Sequence, residues 1–236
     1  YPFDTSLSRE VFYNEFRPFQ KAWMVYALSF VLFCLYFLFH RSYGWGAAGG
    51  VASAVAFGLH ILGFYLRCSI TGRPPVGTMY ESVVWVSLGV LFFAYAIFYV
   101  YRQAMVLTVA TAVAAVGLIL SDTLPMVLDP TIRPLAPVLR STFWLTIHVL
   151  TITLSYAAFA LAMGIGNWTL FQFFSYPKRK EAIKSGVQSA YRAIQAGVLL
   201  LAAGTILGGV WADYSWGRFW GWDPKEVWAL ISLLCY

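Results

Sequence analysis

Charged residues are scarce in this sequence. Only 11% of its 236 residues are Asp, Glu, Lys or Arg, while 60% are hydrophobic. In soluble domains roughly a quarter of the residues are charged, so this scarcity excludes an ordinary soluble domain. The composition predicts an all-α polytopic membrane protein, in which apolar helices cross the bilayer as a bundle.

Cysteine and clustered basic residues are also rare. Cys34, Cys68 and Cys235 lie in or beside apolar segments without C-x-x-C spacing, so no zinc site or disulfide framework is predicted. The net charge of +6 comes mostly from scattered residues near helix ends, and only 178–180 forms a basic run. A membrane interface explains this pattern better than nucleic acid, so we expect membrane lipid as a partner and no nucleic acid.

Apolar runs predict six complete spans and part of a seventh. Residues 1–20 mix charges with aromatic rings, which predicts an interfacial N-terminal segment, and residues 21–236 then form the membrane domain. The predicted helices cover 22–39, 45–66, 79–101, 105–120, 142–173, 182–210 and a stretch beginning at 223. That last stretch has about 15 Å of apolar helix, half of a ~30 Å bilayer core. We therefore expect the chain to be a piece of a longer protein, incomplete at both ends.

The most distinctive stretch of the sequence is rich in tryptophan. It contains Trp211, Trp216, Trp220, Trp222 and Trp228. The absence of a helical or alternating period before Asp223 predicts an exposed aromatic loop over residues 211–226. Asp223 is a good N-cap, Pro224 suits the first helical position, and Glu226 can reach back to the N–H group of the cap. A helix beginning at Asp223 therefore defines where the loop ends.

The basic run at 178–180 predicts the orientation of the chain. It falls on the opposite side of the membrane from the tryptophan loop and from the proline-rich connection 121–141. The positive-inside rule then places the run in the cytoplasm and the tryptophan loop outside. Several arginines are external in this arrangement, and we expect some of them to hold an anionic ligand.

Three histidines are candidates for function. His148 follows Trp144 by four residues, so both lie on one helix face near the outer surface, and a ligand role is favoured over simple helix packing. His60 lies deeper in its helix and either binds a metal or bonds to a backbone carbonyl. His40 at a helix end is predicted to be an interfacial residue without a role.

Histidines in spans, a tryptophan-rich shelf and external arginines suggest one ligand class. Haem is a flat apolar ring whose iron takes axial imidazoles and whose propionates pair with arginine. Arg218 is the best propionate candidate, and Arg73 and Arg140 are weaker ones. The alternative is an ordinary interfacial belt of tryptophans, although belts are usually spread over many helix ends.

Two further patterns have structural interpretations. Gly204 and Gly208 are spaced as in G-x-x-x-G packing and are given no chemical role. Glu81, in the stretch Tyr80-Glu81-Ser82, is expected in the first turn of its helix, where a carboxylate complements the helix dipole.

The tryptophan-rich block resembles a known family signature. Trp216-Gly-Arg-Phe-Trp220-Gly-Trp222-Asp223-Pro-Lys-Glu226 is similar to the "WWD" signature of haem-handling proteins of cytochrome c maturation, in the form found in CcsA (ResC) type System II cytochrome c synthases. Three other stretches agree with this family. They are Gly72 to Ser82, Trp144 to Val149 with Ser155-Tyr156, and Glu10-Val-Phe-Tyr13-Asn14.

The resemblance implies a holocytochrome c synthase, or haem lyase, that acts on haem b. Family members carry haem through the bacterial inner membrane, or the thylakoid equivalent, to an external site under the WWD loop. They attach it there to the C-x-x-C-H segment of apocytochrome c, alone or with a fused or separate CcsB (ResB) partner. The resemblance implies that His148 is one external axial ligand, beside a loop that includes Trp211, Trp216, Trp220, Trp222 and Asp223. The family's second ligands lie beyond Tyr236 or in the partner.

A second function remains open from the sequence. A haem-delivery protein of the CcmC kind handles haem and passes it on without forming the thioether bond, and it has a similar length and a similar number of spans. The sequences Pro224-Lys225-Glu226 and Tyr80-Glu81-Ser82 favour the synthase form. A membrane structural or transport protein with an aromatic belt is the third interpretation.

Overall fold

The protein is helical over the residues that the structure describes. This computed structural model describes residues 3–39, 42–74, 76–132 and 143–236, which form α-helices and no strands. The helices are α1 (Phe3–Phe16), α2 (Pro18–Leu38), α3 (Tyr43–Thr71), α4 (Met79–Tyr101), α5 (Ala104–Thr123), α6 (Phe143–Ser175), α7 (Lys180–Trp216) and α8 (Pro224–Cys235).

Six helical stretches in the described residues are long and apolar enough to cross a membrane. The first covers Leu7–Leu38 and combines most of α1 with α2, and the other five are α3 to α7. The predicted all-α bundle with six complete spans is confirmed, and the protein is an integral membrane protein. Helix α8, with 12 residues, begins where the seventh helix is expected. Residues 3–16 are helical, and their location at the interface stays a prediction.

Helix α3 is longer than the sequence predicted. It was expected to end at 66 but continues to Thr71, where Gly72 takes a left-handed conformation with φ 65° and ends it. Arg67 therefore lies inside the helix and is buried, with 1% of its surface exposed, instead of in an external loop. The prediction was wrong because a charged residue after an apolar run usually marks the point where a helix reaches water. Arg67 instead stays in the helix, because a counterion from another helix pairs with it.

The chain divides into two compact units, Tyr1–Ile132 and Arg133–Tyr236. In the first unit, α2 packs against α3 and α5, and α4 packs against α5. In the second unit, α6 and α7 pack along one another and α8 contacts α7. Small buried side chains such as Ala22, Ala56 and Ala110 permit close approach between the helices of the first unit.

A buried ion pair joins four parts of the first unit. Arg67 Nε donates to Glu81 Oε1 at 3.0 Å, and Arg73 Nη1 donates to Glu81 Oε2 at 3.1 Å. Arg67 Nη1 also donates to the carbonyl of Pro130 at 2.9 Å and to the Tyr13 hydroxyl at 3.3 Å. The guanidinium of Arg67 thereby connects α1, α3, α4 and the segment after α5.

Glu81 lies in the first turn of α4, as predicted, and has more contacts than the helix dipole alone requires. Its backbone N–H donates to the Thr78 hydroxyl, and its carboxylate accepts the N–H of Gly77 at 2.9 Å. Hydrogen bonds and two guanidinium groups stabilise the charged carboxylate away from water. Glu81 is thus the counterion that makes burial of Arg67 possible.

Replacement of Glu81 by Gln is expected to destabilise the first unit strongly. The change leaves the buried Arg67 without its counterion, which typically costs about 3–5 kcal/mol. The measurement is the thermal unfolding midpoint of the detergent-solubilised protein. Glu181→Gln, which neutralises an exposed glutamate in the first turn of α7, is the matched control. Equal unfolding midpoints for the two variants would contradict the proposed importance of this ion pair.

Candidate functional site at the tryptophan loop

His148 lies half-buried on α6 and faces α7. Its Nδ1 atom is 2.7 Å from the carbonyl oxygen of Gly204. A carbonyl only accepts hydrogen bonds, so in the neutral ring Nδ1 carries the hydrogen and Nε2 carries a lone pair. Within the described residues, Nε2 has no hydrogen-bond partner. This is the tautomer that a metal-binding histidine needs, with its second nitrogen held by the backbone.

Two glycines of α7 make room for this histidine. A Cβ atom at Gly208 would lie 2.7 Å from Cε1 of His148, and one at Gly204 would lie 2.9 Å from Cβ of Ile152. The predicted close packing at Gly204 and Gly208 is therefore confirmed. The additional finding is that the same glycines form the surface on which the imidazole rests, a role that the sequence analysis did not give them.

Helix α7 extends further into the tryptophan-rich stretch than predicted. The loop was expected to begin at Trp211, but the helix continues to Trp216 and ends where Gly217 adopts φ 69°. The N–H of Gly217 bonds to the carbonyl of Asp213 at 2.8 Å, as in a left-handed helix cap. Irregular aromatic spacing does not end a helix, whereas a glycine able to adopt positive φ does. Gly217 was the signal that marked the true boundary.

The tryptophans of this region form two edge-to-face pairs. The ring centroids of Trp211 and Trp216 are 4.6 Å apart, and those of Trp220 and Trp222 are 5.9 Å apart. Edge-to-face geometry is the arrangement that aromatic quadrupoles favour. Trp216 and Trp222 are nevertheless 54% and 69% exposed. The pairs therefore offer apolar ring surface to a ligand or to lipid.

Phe219 brings the loop back onto α7. A Cβ atom at Gly209 would lie 2.6 Å from Cζ of Phe219, so this ring lies directly against the glycine backbone. Gly209 follows Gly208, which contacts His148. Trp211 lies three residues beyond Gly208, on the same face of α7. The loop and the imidazole thus meet the same turn of α7, and Phe219 is a site residue that the sequence analysis missed.

The end of the loop follows the capping pattern that the sequence predicted. Asp223 Oδ1 accepts the N–H groups of Lys225 at 2.9 Å and Glu226 at 3.0 Å, and Pro224 is the first residue of α8. Glu226 Oε2 accepts the N–H of Asp223 in return at 3.3 Å. The capping box is confirmed, and α8 begins immediately after Asp223.

The carboxylate of Glu226 has a second task in the loop. Its Oε2 atom also accepts the N–H of Gly221 at 2.7 Å. The two bonded amides flank Trp222, whose φ of 57° is unusual for a bulky residue and typically costs about 1–3 kcal/mol. Glu226 therefore holds Trp222 in a strained conformation with its indole exposed.

The other predicted site residues have different environments. The Arg218 side chain is exposed, and its guanidinium lies where a Cβ atom at Gly221 would be. Trp144 packs edge-to-face with Phe143 near the start of α6. Arg73 is engaged by Glu81 in the first unit, so its guanidinium already has an anionic partner. Arg140 and His40 lie outside the described residues.

His60 shows the second of its two predicted arrangements. It is fully buried, its Nε2 lies 3.1 Å from the Val84 carbonyl, and its Nδ1 lies 3.4 Å from the Tyr26 hydroxyl. The ring stacks on Phe64 and meets the edge of Phe19. Both nitrogens have partners, so His60 is not included in the candidate site.

Comparison with known proteins identifies the family. The profile of the Cytochrome C assembly protein family matches residues 76–236. The chain belongs to this family. Protein NrfI of Wolinella succinogenes is 36% identical to this chain over 77% of its residues. The cytochrome c biogenesis protein CcsA of Prochlorococcus marinus NATL1A is 31% identical over 81% of the chain. CcsA of Synechococcus sp. RCC307 is 32% identical over 70% of the chain. The chain spans 20%, 73% and 62% of these relatives' own lengths.

Removal of the Glu226 side chain is expected to release the loop. Glu226→Ala loses the bonds to Gly221 and Asp223, and the loss of such a capping interaction costs about 0.5–2 kcal/mol. Trypsin should then cut after Arg218 several-fold faster in the solubilised protein. Glu181→Ala removes an exposed helix-start glutamate elsewhere and should leave cleavage after Arg218 unchanged. The same cleavage rate in both variants would show that Glu226 does not restrain the loop.

Proposed function

We propose that this chain binds haem as a substrate at the tryptophan loop and presents it for covalent attachment to apocytochrome c. In this proposal it acts as part of a holocytochrome c synthase of the CcsA type. His148 supplies one axial imidazole, and the indoles of the loop contact the porphyrin ring. Membership of the cytochrome c assembly family and the similarity to CcsA proteins support this direction.

The observation that carries the proposal is the state of His148. Its Nδ1 hydrogen bonds to the carbonyl of Gly204, and its Nε2 retains a lone pair without a described hydrogen-bond partner. A backbone carbonyl bond of this kind orients a metal-binding imidazole and fixes its tautomer. The residues present therefore fit an iron–imidazole bond. Its contact with Gly208 keeps the ring from turning freely.

The loop supports binding of a flat apolar ring. Trp216 and Trp222 expose much of their indole surface, while Trp211 and Trp220 pack against them and limit their movement. Arg218 is the cation of the loop best placed in sequence to meet propionates, because it lies between the two tryptophan pairs. Asp223 contributes indirectly, as the cap that fixes where the loop ends.

Charge distribution supports an external loop. Helix α7 has 37 residues, about 55 Å of helix, with the 178–180 basic run ending at its first residue and residues 217–223 of the tryptophan loop after its last. The two ends of a spanning helix lie on opposite sides of the bilayer. By the positive-inside rule the basic run is cytoplasmic, and the loop faces the periplasm or the equivalent thylakoid space.

The attachment chemistry requires close positioning of two partners. Each cysteine thiol of a C-x-x-C-H segment adds across a haem vinyl group, so that sulfur bonds to one vinyl carbon and the thiol hydrogen goes to the other. No net oxidation or reduction occurs in this addition. The chemistry requires that the ring, held by one imidazole and by indoles, present its vinyl edge to the incoming peptide, and such positioning contributes to rate through proximity.

The proposal includes partners that this chain does not contain. Haem b, supplied from the cytoplasmic side, is the expected substrate, and apocytochrome c with its C-x-x-C-H segment is the expected acceptor. A CcsB (ResB) type protein, fused or separate, is the expected partner within the membrane and contributes further haem ligands.

Replacement of His148 by Ala is expected to lower haem binding and to change the spectrum of the haem that remains. The variant loses an axial imidazole but keeps the glycine surface of α7. Added free imidazole should restore the low-spin spectrum of the full-length protein, because it can occupy the space of the lost ring. Met163→Ala, an exposed change on the same helix, serves as the matched control. An unchanged absorption spectrum in His148→Ala would refute the assignment.

Replacement of Trp220 and Trp222 by Ala is expected to reduce haem occupancy more than it reduces the yield of folded protein. The matched control replaces Phe173 and Phe174, an edge-to-face pair on α6 with ring centroids 5.5 Å apart and both rings exposed. Haem occupancy is measured by absorbance, and attachment by covalent haem on a co-expressed apocytochrome c.

The two readouts separate the alternatives. Equal losses of yield and occupancy would indicate that these tryptophans have a structural role. Haem bound at normal occupancy by the unmodified protein, with no covalent product in the presence of its partner, would favour a delivery protein of the CcmC kind over a synthase.

A further inference from the structure

A polar pocket in the first unit is not used by the proposed haem site. It has a volume of about 440 Å³, within the usual range for small-molecule sites. Its lining includes Tyr13, Asn14, Arg17, Ser121 and Asp122. Tyr13 and Asn14 belong to one of the stretches that resemble the family. That stretch therefore lines a pocket.

The wall of the pocket is held rigidly from behind. The Tyr13 hydroxyl accepts a hydrogen bond from the buried Arg67, which also bonds to the carbonyl of Pro130, another lining residue. Tyr13 and Ser121 are themselves buried, with 8% and 2% of their surfaces exposed. The polar groups at the base of the pocket are therefore pre-organised before any ligand arrives.

The pocket carries one charge of each sign, and the two are not paired. Arg17 and Asp122 both line it, but no ion pair joins them, and within the described residues the Arg17 side chain has no hydrogen-bond partner. Asp122 Oδ2 accepts the Trp23 N–H at 3.1 Å, while its Oδ1 has no described partner. Both side chains are exposed at the pocket and are not paired with each other, so a zwitterionic ligand can meet both, with an anion for Arg17 and an N–H donor for Asp122.

The position of the pocket matches the depth of lipid headgroups. It is built from the last turn of α1, the start of α2, the first turn of α4 and the last turn of α5. The first turn of α4 and the last turn of α5 are ends of apolar spans, and such ends lie at the boundary between hydrocarbon and water. Asn14 shares a helical face with Leu7 and Val11, which are 60% and 49% exposed. Two exposed apolar side chains therefore continue from the pocket along α1, where an acyl chain can contact them.

We propose that this pocket binds a membrane phospholipid whose headgroup combines a phosphate with a primary ammonium group. Arg17 pairs with the phosphate, Asp122 Oδ1 accepts a hydrogen bond from the ammonium, and an acyl chain lies along Leu7 and Val11. Binding at the junction of α1 and α2 fixes the N-terminal helix against the rest of the first unit. The inference does not depend on the proposed haem chemistry.

Lipid selectivity of the full chain tests this site. Native mass spectrometry of the detergent-solubilised protein would compare dioleoyl phosphatidylethanolamine with dioleoyl phosphatidylcholine and dioleoyl phosphatidylglycerol. Phosphatidylethanolamine should bind about tenfold more tightly than either, which is the effect of one charge-assisted hydrogen bond. Phosphatidylcholine has the phosphate but no ammonium N–H, and phosphatidylglycerol has no cation. Equal binding of either lipid would overturn the proposal.

Two variants connect the selectivity to the named residues. Asp122→Asn keeps an acceptor for Trp23 and should bind phosphatidylethanolamine and phosphatidylcholine equally. Arg17→Gln combined with Asp122→Asn should lose most binding of both. Arg9→Gln with Glu15→Gln removes the same two charge types from exposed positions of α1 outside the pocket, and its selectivity should match that of the unmodified protein. Retained selectivity in the Asp122 variant would contradict the assigned contact.

A free headgroup distinguishes a lipid from a soluble zwitterion. Glycerophosphoethanolamine lacks acyl chains and should compete about a hundredfold more weakly, because burial of about three or four methylene groups already contributes that factor. Competition as strong as that of the lipid would show that the pocket takes a soluble zwitterion and would overturn the lipid assignment. Far-ultraviolet circular dichroism of each variant verifies that its helices are intact.

Discussion

The close approach of α6 and α7 determines the chemistry available to His148. Its Nδ1 reaches the carbonyl of Gly204 only because α7 presents glycine backbone at this turn, where side chains would otherwise separate the two helices. That one hydrogen bond sets the tautomer of the imidazole, so that Nε2 carries a lone pair and no hydrogen. The loop ring Phe219 uses the neighbouring Gly209 in the same way. Helix packing and the orientation of the His148 imidazole therefore depend on the same few glycines.

The carboxylate of Glu226 is a second constraint, because it bonds both to the start of α8 and to the tryptophan loop. Glu226 completes the capping box of α8 and also bonds to the amide before Trp222. The start of α8 and the exposed position of an indole are consequently linked by one side chain. A loop restrained in this manner loses little conformational entropy when it meets a rigid planar ligand, which favours binding.

The first unit shows how an apolar bundle accommodates charge. Arg67 and Glu81 are almost fully buried, and each is bonded to the other and to further polar groups. The contacts of Arg67 also hold the wall of the polar pocket at the ends of the helices. The buried Arg67 therefore stabilises the packing of this unit and also holds the wall of its pocket in place.

The sequence alone determined the features that depend on neighbours along the chain. Hydropathy predicted six spans, local capping chemistry predicted the start of α8, and the tryptophan-rich block indicated the family. Tertiary structure decided which polar groups meet, as with Arg67 and Glu81 or His148 and Gly204, which are 14 and 56 residues apart. It also decided that His60 bonds to a carbonyl and a tyrosine. Local patterns report the solvent preference of a segment, whereas the partner of a buried polar group is chosen by helix packing between distant segments.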